Sequence, residues 1–180
     1  MKEKVPVMKH IFILNPAAGK SDQTPRFTQD IERICGARGL DYEICVSKAR
    51  GDCKALARRA AESGQEVRLY ACGGDGTLNE VVCGMAGFEN AAVTHYPGGS
   101  GNAPFFDLER LLDADETRFD LISCNGTYCA NILSIGLDAK IGTDIARFKR
   151  LPFVSGKGAY ILSILANVLS GRSAHYVVDV

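Results

Sequence analysis

The sequence lacks an excess of charge of either sign: Lys and Arg total 21, and so do Asp and Glu. No global field draws the chain to nucleic acid or to an anionic membrane, so any acidic ligand has to be held by local groups. An apolar leader is missing too, because the N-terminus MKEKVPVMKH carries charges without an h-region. The longest apolar run, near Ala159 to Leu169, is too short to span a bilayer. These two absences predict a cytoplasmic protein. No CxxC pair occurs among seven cysteines (Cys35, Cys45, Cys53, Cys72, Cys83, Cys124, Cys129), and the odd count argues against a disulfide framework as well as a zinc site. Cys124 and Cys129 flank Asn125-Gly126, a type I′ hairpin signal. In that register Cys124 faces Thr127 and Cys129 faces Ile122, which leaves the two sulfurs as diagonal neighbours unsuited to a disulfide. The three histidines, His10, His95 and His175, are too scattered for a triad or a metal cluster. What the chain does have is 46% hydrophobic residues over 180 positions, enough for one domain with a real core, or for one domain and part of another.

The chain is organised around Leu69 to Glu80, LYACGGDGTLNE. Val67, Leu69, Ala71 and Cys72 read as a buried strand that runs into a glycine turn and then a helix opening at Thr77. Glycines at Gly73, Gly74 and Gly76 have no Cβ, so positive φ is open to them and their N–H groups can approach an anion. The helix then points its positive end at the same spot. A carboxylate among N–H donors repels phosphate unless a metal ion or a transferable proton lies between, so Asp75 reads as a partner of Mg²⁺ or of a hydroxyl. The alternative is that Asp75 and Thr77 only cap the helix.

Upstream, HIFIL (His10 to Leu14) has the look of a buried parallel strand that stops at the turn dipeptide Asn15-Pro16. The letters AAGKS resemble the end of a Walker A loop, but Leu14 occupies the position of its first glycine, so the pattern fails. There remains a small-residue loop, Asn15, Pro16, Ala17, Ala18 and Gly19, with Lys20 in reach of an anion. A helix is expected from about Pro25 to Arg38, stopped by Gly39, then a strand at Asp41 to Ser47 and a helix starting at Gly51-Asp52. Lys54, Arg58 and Arg59 on that helix read as a solvated face. Ala91 to Tyr96 forms a fourth strand, and it ends in a second glycine loop, PGGSGN, Pro97 to Asn102. Right-handed crossovers put the C-terminal ends of all these strands on one edge of the sheet, where open α/β sheets bind ligands. The dinucleotide fingerprint fits poorly, because Asn79 stands where its third glycine belongs.

Beyond Leu108 to Leu112 the alternation ends. Arg118 to Cys124 and Thr127 to Ile135 read as a hairpin, which places a domain boundary near Asp113 to Glu116. A helix is expected from Leu137 to Lys149 and a very apolar one from Gly158 to Leu169, either core or contact surface. SAHYVVDV reads as a strand that stops in mid-pattern at Val180. The fold class expected is α/β, with a Rossmann-like parallel-sheet nucleotide-binding domain over 1–114 and the start of a β-rich second domain over 115–180.

Taken together, NPAAGK (Asn15 to Lys20), GGDGTLNEVVCG (Gly73 to Gly84), PGGSGN, RFDLI and NILSIGLDA (Asn131 to Ala139) resemble the diacylglycerol kinase catalytic-domain family, which includes bacterial lipid kinases, sphingosine kinases and ceramide kinases. The resemblance covers nearly all of Ile11 to Leu169. It implies ATP-dependent phosphorylation of a lipid hydroxyl with Mg²⁺, with Asp75 catalytic and also the candidate metal ligand. It implies a nucleotide site built from Asn15 to Lys20, Gly73 to Thr77, Asn79 and Glu80, with hydroxyl contacts from Ser47 and Ser100 and further contacts from Gly99 and Asn102. The partners implied are ATP and a lipid acceptor at a membrane surface, reached peripherally; nucleic acid is not expected, and a homodimer stays open. Bacterial diacylglycerol kinases carry aspartate after the asparagine of the second loop, whereas here Ala103 follows Asn102, and GSGNA looks more like a sphingosine kinase. Family members are longer, with a β-rich domain that completes the lipid site and carries later acids, so this chain is expected to be a fragment or a truncated protein. Asp138 is a further acidic candidate, with a helix-capping role as the other reading. NAD kinase also uses GGDGT and is the second enzyme reading, opposed by NPAAGK, LNEVV and GSGN. A non-catalytic nucleotide-binding module is the third.

Overall fold

The computed structural model describes residues 8–19, 21–97, 107–130, 132–134, 136–149, 151, 154 and 156–170. It divides into two compact units, 1–131 and 132–180. The first holds a parallel sheet in the order β2-β1-β3-β4, built from β1 (Lys9–Leu14), β2 (Tyr42–Val46), β3 (Val67–Gly73) and β4 (Ala91–Pro97). Four helices belong to the same unit: α1 (Thr24–Arg38), α2 (Asp52–Glu62), α3 (Asp75–Met85) and α4 (Leu108–Leu112).

In the two central strands the letters from Ile11 to Leu14 and from Leu69 to Cys72 are apolar without alternation. Every residue of β3 is buried, and β1 is buried from His10 onward. Strands covered on both faces read as continuous hydrophobic runs. Successive side chains still point to opposite faces. Phe12, Leu14, Tyr70 and Cys72 pack with Phe27, Ile31, Ile34 and Cys35 of α1 and with Leu108 and Leu112 of α4. Ile11, Ile13, Leu69 and Ala71 pack with Cys53 and Ala57 of α2 and Val81 of α3. Full burial of a side chain such as Phe12, Ile13, Leu14 or Leu69 contributes about 1.5–3 kcal/mol. The helix signals work as expected on α1, which has Pro25 in its first turn and Gly39 in the left-handed conformation (φ 63°) behind its end. The α2 and α3 helices approach so closely that a Cβ at Gly84 would lie 2.3 Å from the Lys54 carbonyl oxygen.

Two elements differ from their sequence reading. The α3 helix starts at Asp75, two residues before Thr77, because Gly74 itself serves as the N-cap and the Asp-Gly pair forms the first turn. The hairpin is shorter, with β5 (Ile122–Cys124) and β6 (Thr127–Cys129) joined by Asn125 (φ 49°) and Gly126 (φ 75°). Both central residues are left-handed, as a type I′ turn requires. The pairs Cys124 with Thr127 and Ile122 with Cys129 are those expected, and no disulfide joins the two cysteines. The hairpin lies on α3, where the Cys83 thiol donates to the Tyr128 carbonyl oxygen at 2.9 Å.

The regular elements described in the second unit are α5 (Leu137–Phe148) and α6 (Gly156–Leu169). On α6 the stripe buried against α5 is Ala159, Ser163 and Asn167, spaced four apart on one helix face. Ser163 Oγ donates to Ile141 O at 2.8 Å, and Asn167 Nδ2 donates to Asp144 Oδ2 at 3.0 Å. Tyr160, Ile161, Leu165 and Val168 are exposed on the same helix. Among the described residues no helix is long and apolar enough to cross a membrane. The strand expected in SAHYVVDV lies outside the described residues.

Candidate active site

The strand order puts β1 beside β3, and the helices that follow them leave toward opposite faces of the sheet: α1 packs on the Phe12 face, α3 on the Ile13 face. A crevice opens between the two departing loops, at the topological switch point where α/β sheets bind ligands. The loops are tied to each other. Asn15 N donates to Cys72 O at 3.1 Å, and Asn15 Nδ2 donates to Thr77 Oγ1 at 3.0 Å. Asn15 Oδ1 accepts the Ala17 N–H at 3.1 Å, which fixes which end of the amide faces Thr77. Ala18 N donates to Asn15 O at 3.1 Å, and Gly19 closes the turn at φ 90°.

The glycine turn works differently from the expectation of positive φ. None of Gly73, Gly74 and Gly76 is left-handed, and Gly74 is extended at φ −95°, ψ −173°. Each glycine has its own steric reason. A Cβ on Gly73 would lie 2.4 Å from Thr77 Oγ1, so Gly73 is required by the buried threonine folded against it. A Cβ on Gly74 or Gly76 would meet nothing within 4 Å. Those two positions are exposed and keep the backbone bare toward solvent. Thr77 N and Leu78 N donate to Gly74 O at 2.9 and 3.1 Å, which winds the chain directly into α3. The first N–H groups of a helix have no intrahelical acceptor and carry its positive end.

Asp75 is the first residue of α3 and is exposed. The capping alternative does not describe it, since the N-cap is Gly74 and no side chain caps this helix. Among the described residues no three His, Cys, Asp or Glu side chains gather into a metal cage. A lone exposed carboxylate can take part in holding Mg²⁺, which keeps several waters and needs only one or two protein carboxylates when phosphate oxygens supply the rest.

The third wall comes from the β2–α2 loop. Ser47 N donates to Leu14 O at 2.9 Å, so this loop also hangs from β1. Ser47 is buried, and burial pushes the Cys53 thiol above its ordinary pKa, an effect that the neighbouring Ser47 hydroxyl opposes. Asp52 Oδ2 accepts the N–H groups of Lys48 (2.8 Å) and Ala49 (3.0 Å), and Glu80 Oε1 accepts that of Gly51 at 3.3 Å. The loops enclose a cleft of about 440 Å³. Of the expected site residues, Asn15, Pro16, Ala17, Ser47 and Glu80 line it. Thr77 borders it through Asn15, and Asp75 follows at the start of the same helix. Asn79 instead turns to Cys83 Sγ at 3.8 Å. Lys20, Gly99, Ser100 and Asn102 lie outside the described residues. Sequence reasoning missed Lys48, Ala49, Arg50 and Cys53, which also line the cleft. The signal was there: a Lys-Ala-Arg run directly behind Ser47, on the strand edge where the other loops converge. In the second unit Asp138 is exposed in the first turn of α5, and Ser134 Oγ donates to its Oδ2 at 2.6 Å.

Residues 9–126 match the family described as diacylglycerol kinase catalytic domain. The chain belongs to this family. A relative named "Probable lipid kinase YegS-like", from Chromohalobacter salexigens, is 34% identical over 158 residues, which are 80% of this chain and 49% of that protein. Human sphingosine kinase 1 is 26% identical over 132 residues, covering 69% of this chain and 34% of its own length. Among solved structures, a diacylglycerol kinase from Bacillus anthracis aligns with a TM-score of 0.42 at 29% identity, over 54% of this chain and 36% of that one. The chain spans about half the length of the bacterial relatives it matches. Membership makes this a chain of the lipid kinase family.

Proposed function

We propose that this chain carries the nucleotide-binding part of a lipid kinase that moves the γ-phosphate of Mg·ATP to a lipid hydroxyl. The observation that supports it most is the tie between the Asn15 turn and the Gly73–Thr77 turn, which brings two small-residue loops and the positive end of α3 to one crevice. Phosphoryl transfer asks the protein for positioning and charge neutralisation more than for covalent chemistry. In this reading the N–H groups opening α3 receive phosphate oxygens, and Lys20, Lys48 and Arg50 add positive charge around them. Ser47 and the second glycine loop, with Gly99, Ser100 and Asn102, complete the nucleotide contacts. Asp75 holds Mg²⁺ or meets the acceptor hydroxyl, and bound Mg²⁺ neutralises charge on the phosphates. The lipid hydroxyl oxygen bonds to the γ-phosphorus and gives up its proton, to Asp75 where that carboxylate meets the hydroxyl and otherwise to solvent, while the bridging P–O bond to the β-phosphate breaks and ADP leaves.

The acceptor is a diacylglycerol or a sphingoid-type lipid, presented at a membrane surface to a cytoplasmic, peripherally bound protein. The exposed side chains of α6, Tyr160, Ile161, Leu165 and Val168, supply apolar surface for that encounter. A β-rich lipid-binding domain, begun after the nucleotide-binding part, completes the acceptor site in a longer version.

The test is incubation of this chain, and of a version extended to the length of its relatives, with labelled Mg·ATP and diacylglycerol, sphingosine and NAD as acceptors. Label entering the organic phase from either protein supports the reading and names the acceptor. Transfer by the longer version alone assigns this chain as its nucleotide-binding part. Label found only in NADP overturns the lipid reading, and absence of both transfer and ATP binding overturns the nucleotide site.

A further inference from the structure

Along β3 the backbone groups face alternate neighbours. Val67 N donates to Asn90 O at 2.9 Å on the β4 side, and Cys72 O accepts from Asn15 N at 3.1 Å on the β1 side. Odd-numbered residues of this strand, Gly73 included, therefore direct their backbone groups toward β4 and even-numbered ones toward β1. On the β4 side the Gly73 carbonyl meets a side chain, since His95 Nε2 stands 3.1 Å from its oxygen. A carbonyl oxygen only accepts, so Nε2 carries the proton and donates it. The register pairs His95 with Ala71 and Pro97 with Gly73, so the imidazole reaches two residues along the neighbouring strand to where the glycine turn begins.

A trans peptide is planar, with its C=O and the following N–H pointing in opposite directions. Drawing the Gly73 C=O toward β4 aims the Gly74 N–H toward β1, the side of the Asn15 turn. Gly74 has no side chain to bias that peptide plane, and a glycine has more backbone freedom to lose than any other residue. We infer that His95 is a positioning residue: its Nε2–H holds the Gly73–Gly74 peptide in the orientation that presents the Gly74 N–H to an anion at the start of α3. The orientation follows from the geometry alone; its use for phosphate rests on the nucleotide reading above.

Two variants of the full chain separate the roles. His95→Phe keeps a ring of similar size and removes the donor, while His95→Gln keeps an N–H donor. Amide hydrogen exchange is followed without nucleotide at Thr77 and Leu78, whose N–H groups donate to Gly74 O. Mg·ATP affinity is read by displacement of a fluorescent ATP analogue. Expected for His95→Phe is faster exchange at those two amides and weaker Mg·ATP binding, each by about two- to tenfold, the scale of one lost hydrogen bond. His95→Gln returns both to within about twofold of the parent. Unchanged exchange and affinity in His95→Phe overturn the inference, and so does a Gln variant no better than Phe. Exchange that rises equally throughout β3 and β4 overturns it as well, since that marks a packing role. If the parent chain binds no Mg·ATP, the nucleotide reading falls, and exchange at Thr77 and Leu78 still decides whether His95 sets the peptide.

Discussion

Replacing each glycine of the GGDG turn by alanine separates a glycine that the fold needs from glycines that leave space at the site. In Gly73→Ala the new methyl stands 2.4 Å from Thr77 Oγ1 and 2.8 Å from Thr77 Cβ, against an ordinary contact that begins at 3.4 Å. Thr77 has to retreat by about 1 Å. It is only 3% exposed and accepts the Asn15 amide, so any retreat strains the core and breaks the tie between the two loops. Overpacking of this kind costs about 1–3 kcal/mol and the lost hydrogen bond about 1 more. For a chain of this size, where each kcal/mol moves Tm by about 2–4 °C, the expected drop is about 5–15 °C. Gly74→Ala and Gly76→Ala meet nothing within 4 Å and need no positive φ. Gly76 lies inside α3, where alanine is better than glycine by up to about 1 kcal/mol. Both variants should melt within about 3 °C of the parent while binding Mg·ATP about tenfold more weakly, because a methyl replaces the bare backbone that faces the ligand. Scanning calorimetry and the nucleotide displacement assay on the three variants decide the matter. A Gly73→Ala chain that melts within about 2 °C of the parent, or a Gly76→Ala chain as unstable as Gly73→Ala, would refute the steric argument.

Asp75→Asn should bring phosphate transfer by the active form below detection. Its Tm should fall by no more than about 3 °C, since the exposed carboxylate gives the helix only dipole stabilisation of about 0.3–1 kcal/mol; an active variant would remove Asp75 from the mechanism. Gly84→Ala forces a methyl to 2.3 Å from the Lys54 carbonyl oxygen and 2.8 Å from Ala57 Cβ. After the gain in helix propensity, urea titration should show a net loss of about 1–3 kcal/mol, and a neutral variant would contradict the close α2–α3 packing. The Arg38 guanidinium, hydrogen-bonded to Asp113, holds that carboxyl below its ordinary range. The folded chain thus binds fewer protons there than the unfolded one. The stabilisation is present above the ordinary carboxylate pKa and disappears as pH falls through the lowered folded value. Asp113→Asn should flatten the fall of Tm below about pH 4, and an unchanged slope would show that this exposed pair does not couple to folding.

The sheet was legible in the sequence because burial on both faces writes itself as short apolar runs, IFIL in β1 and LYAC in β3, and the buried Arg68 just before LYAC did not hide the pattern. The loops were legible because strand, small-residue turn and helix recur in order; the Asn15 turn and the first glycine loop meet through Thr77, with Ser47 and Glu80 on the same cleft, while the second glycine loop lies outside the described residues beyond Pro97. The reason behind each glycine was less accessible. Composition shows that a side chain is absent, and only the Thr77 side chain packed on Gly73 shows which absence is steric. The α3 start shifted for a related reason: Asp-Gly reads as a loop, yet Gly74 can cap a helix whose first turn contains both residues. Lys48 and Arg50 escaped notice because charge near a strand end looks like solvated surface until the facing wall is known. His95 carries no motif, and its contact with Gly73 spans 22 positions that only strand pairing brings together.

The α6 helix inverts the usual relation between letter and tolerance. Because Ala159, Ser163 and Asn167 form its inward stripe and Leu165 and Val168 face out, two of its polar letters are under steric constraint while bulky apolar ones are not. A substitution scan of this helix should run opposite to a hydropathy scale, with Ser163→Leu disrupting the helix pair and Leu165→Glu accepted by it, as read from helical circular dichroism on heating. A profile built on apolar conservation would grade those two changes the wrong way round.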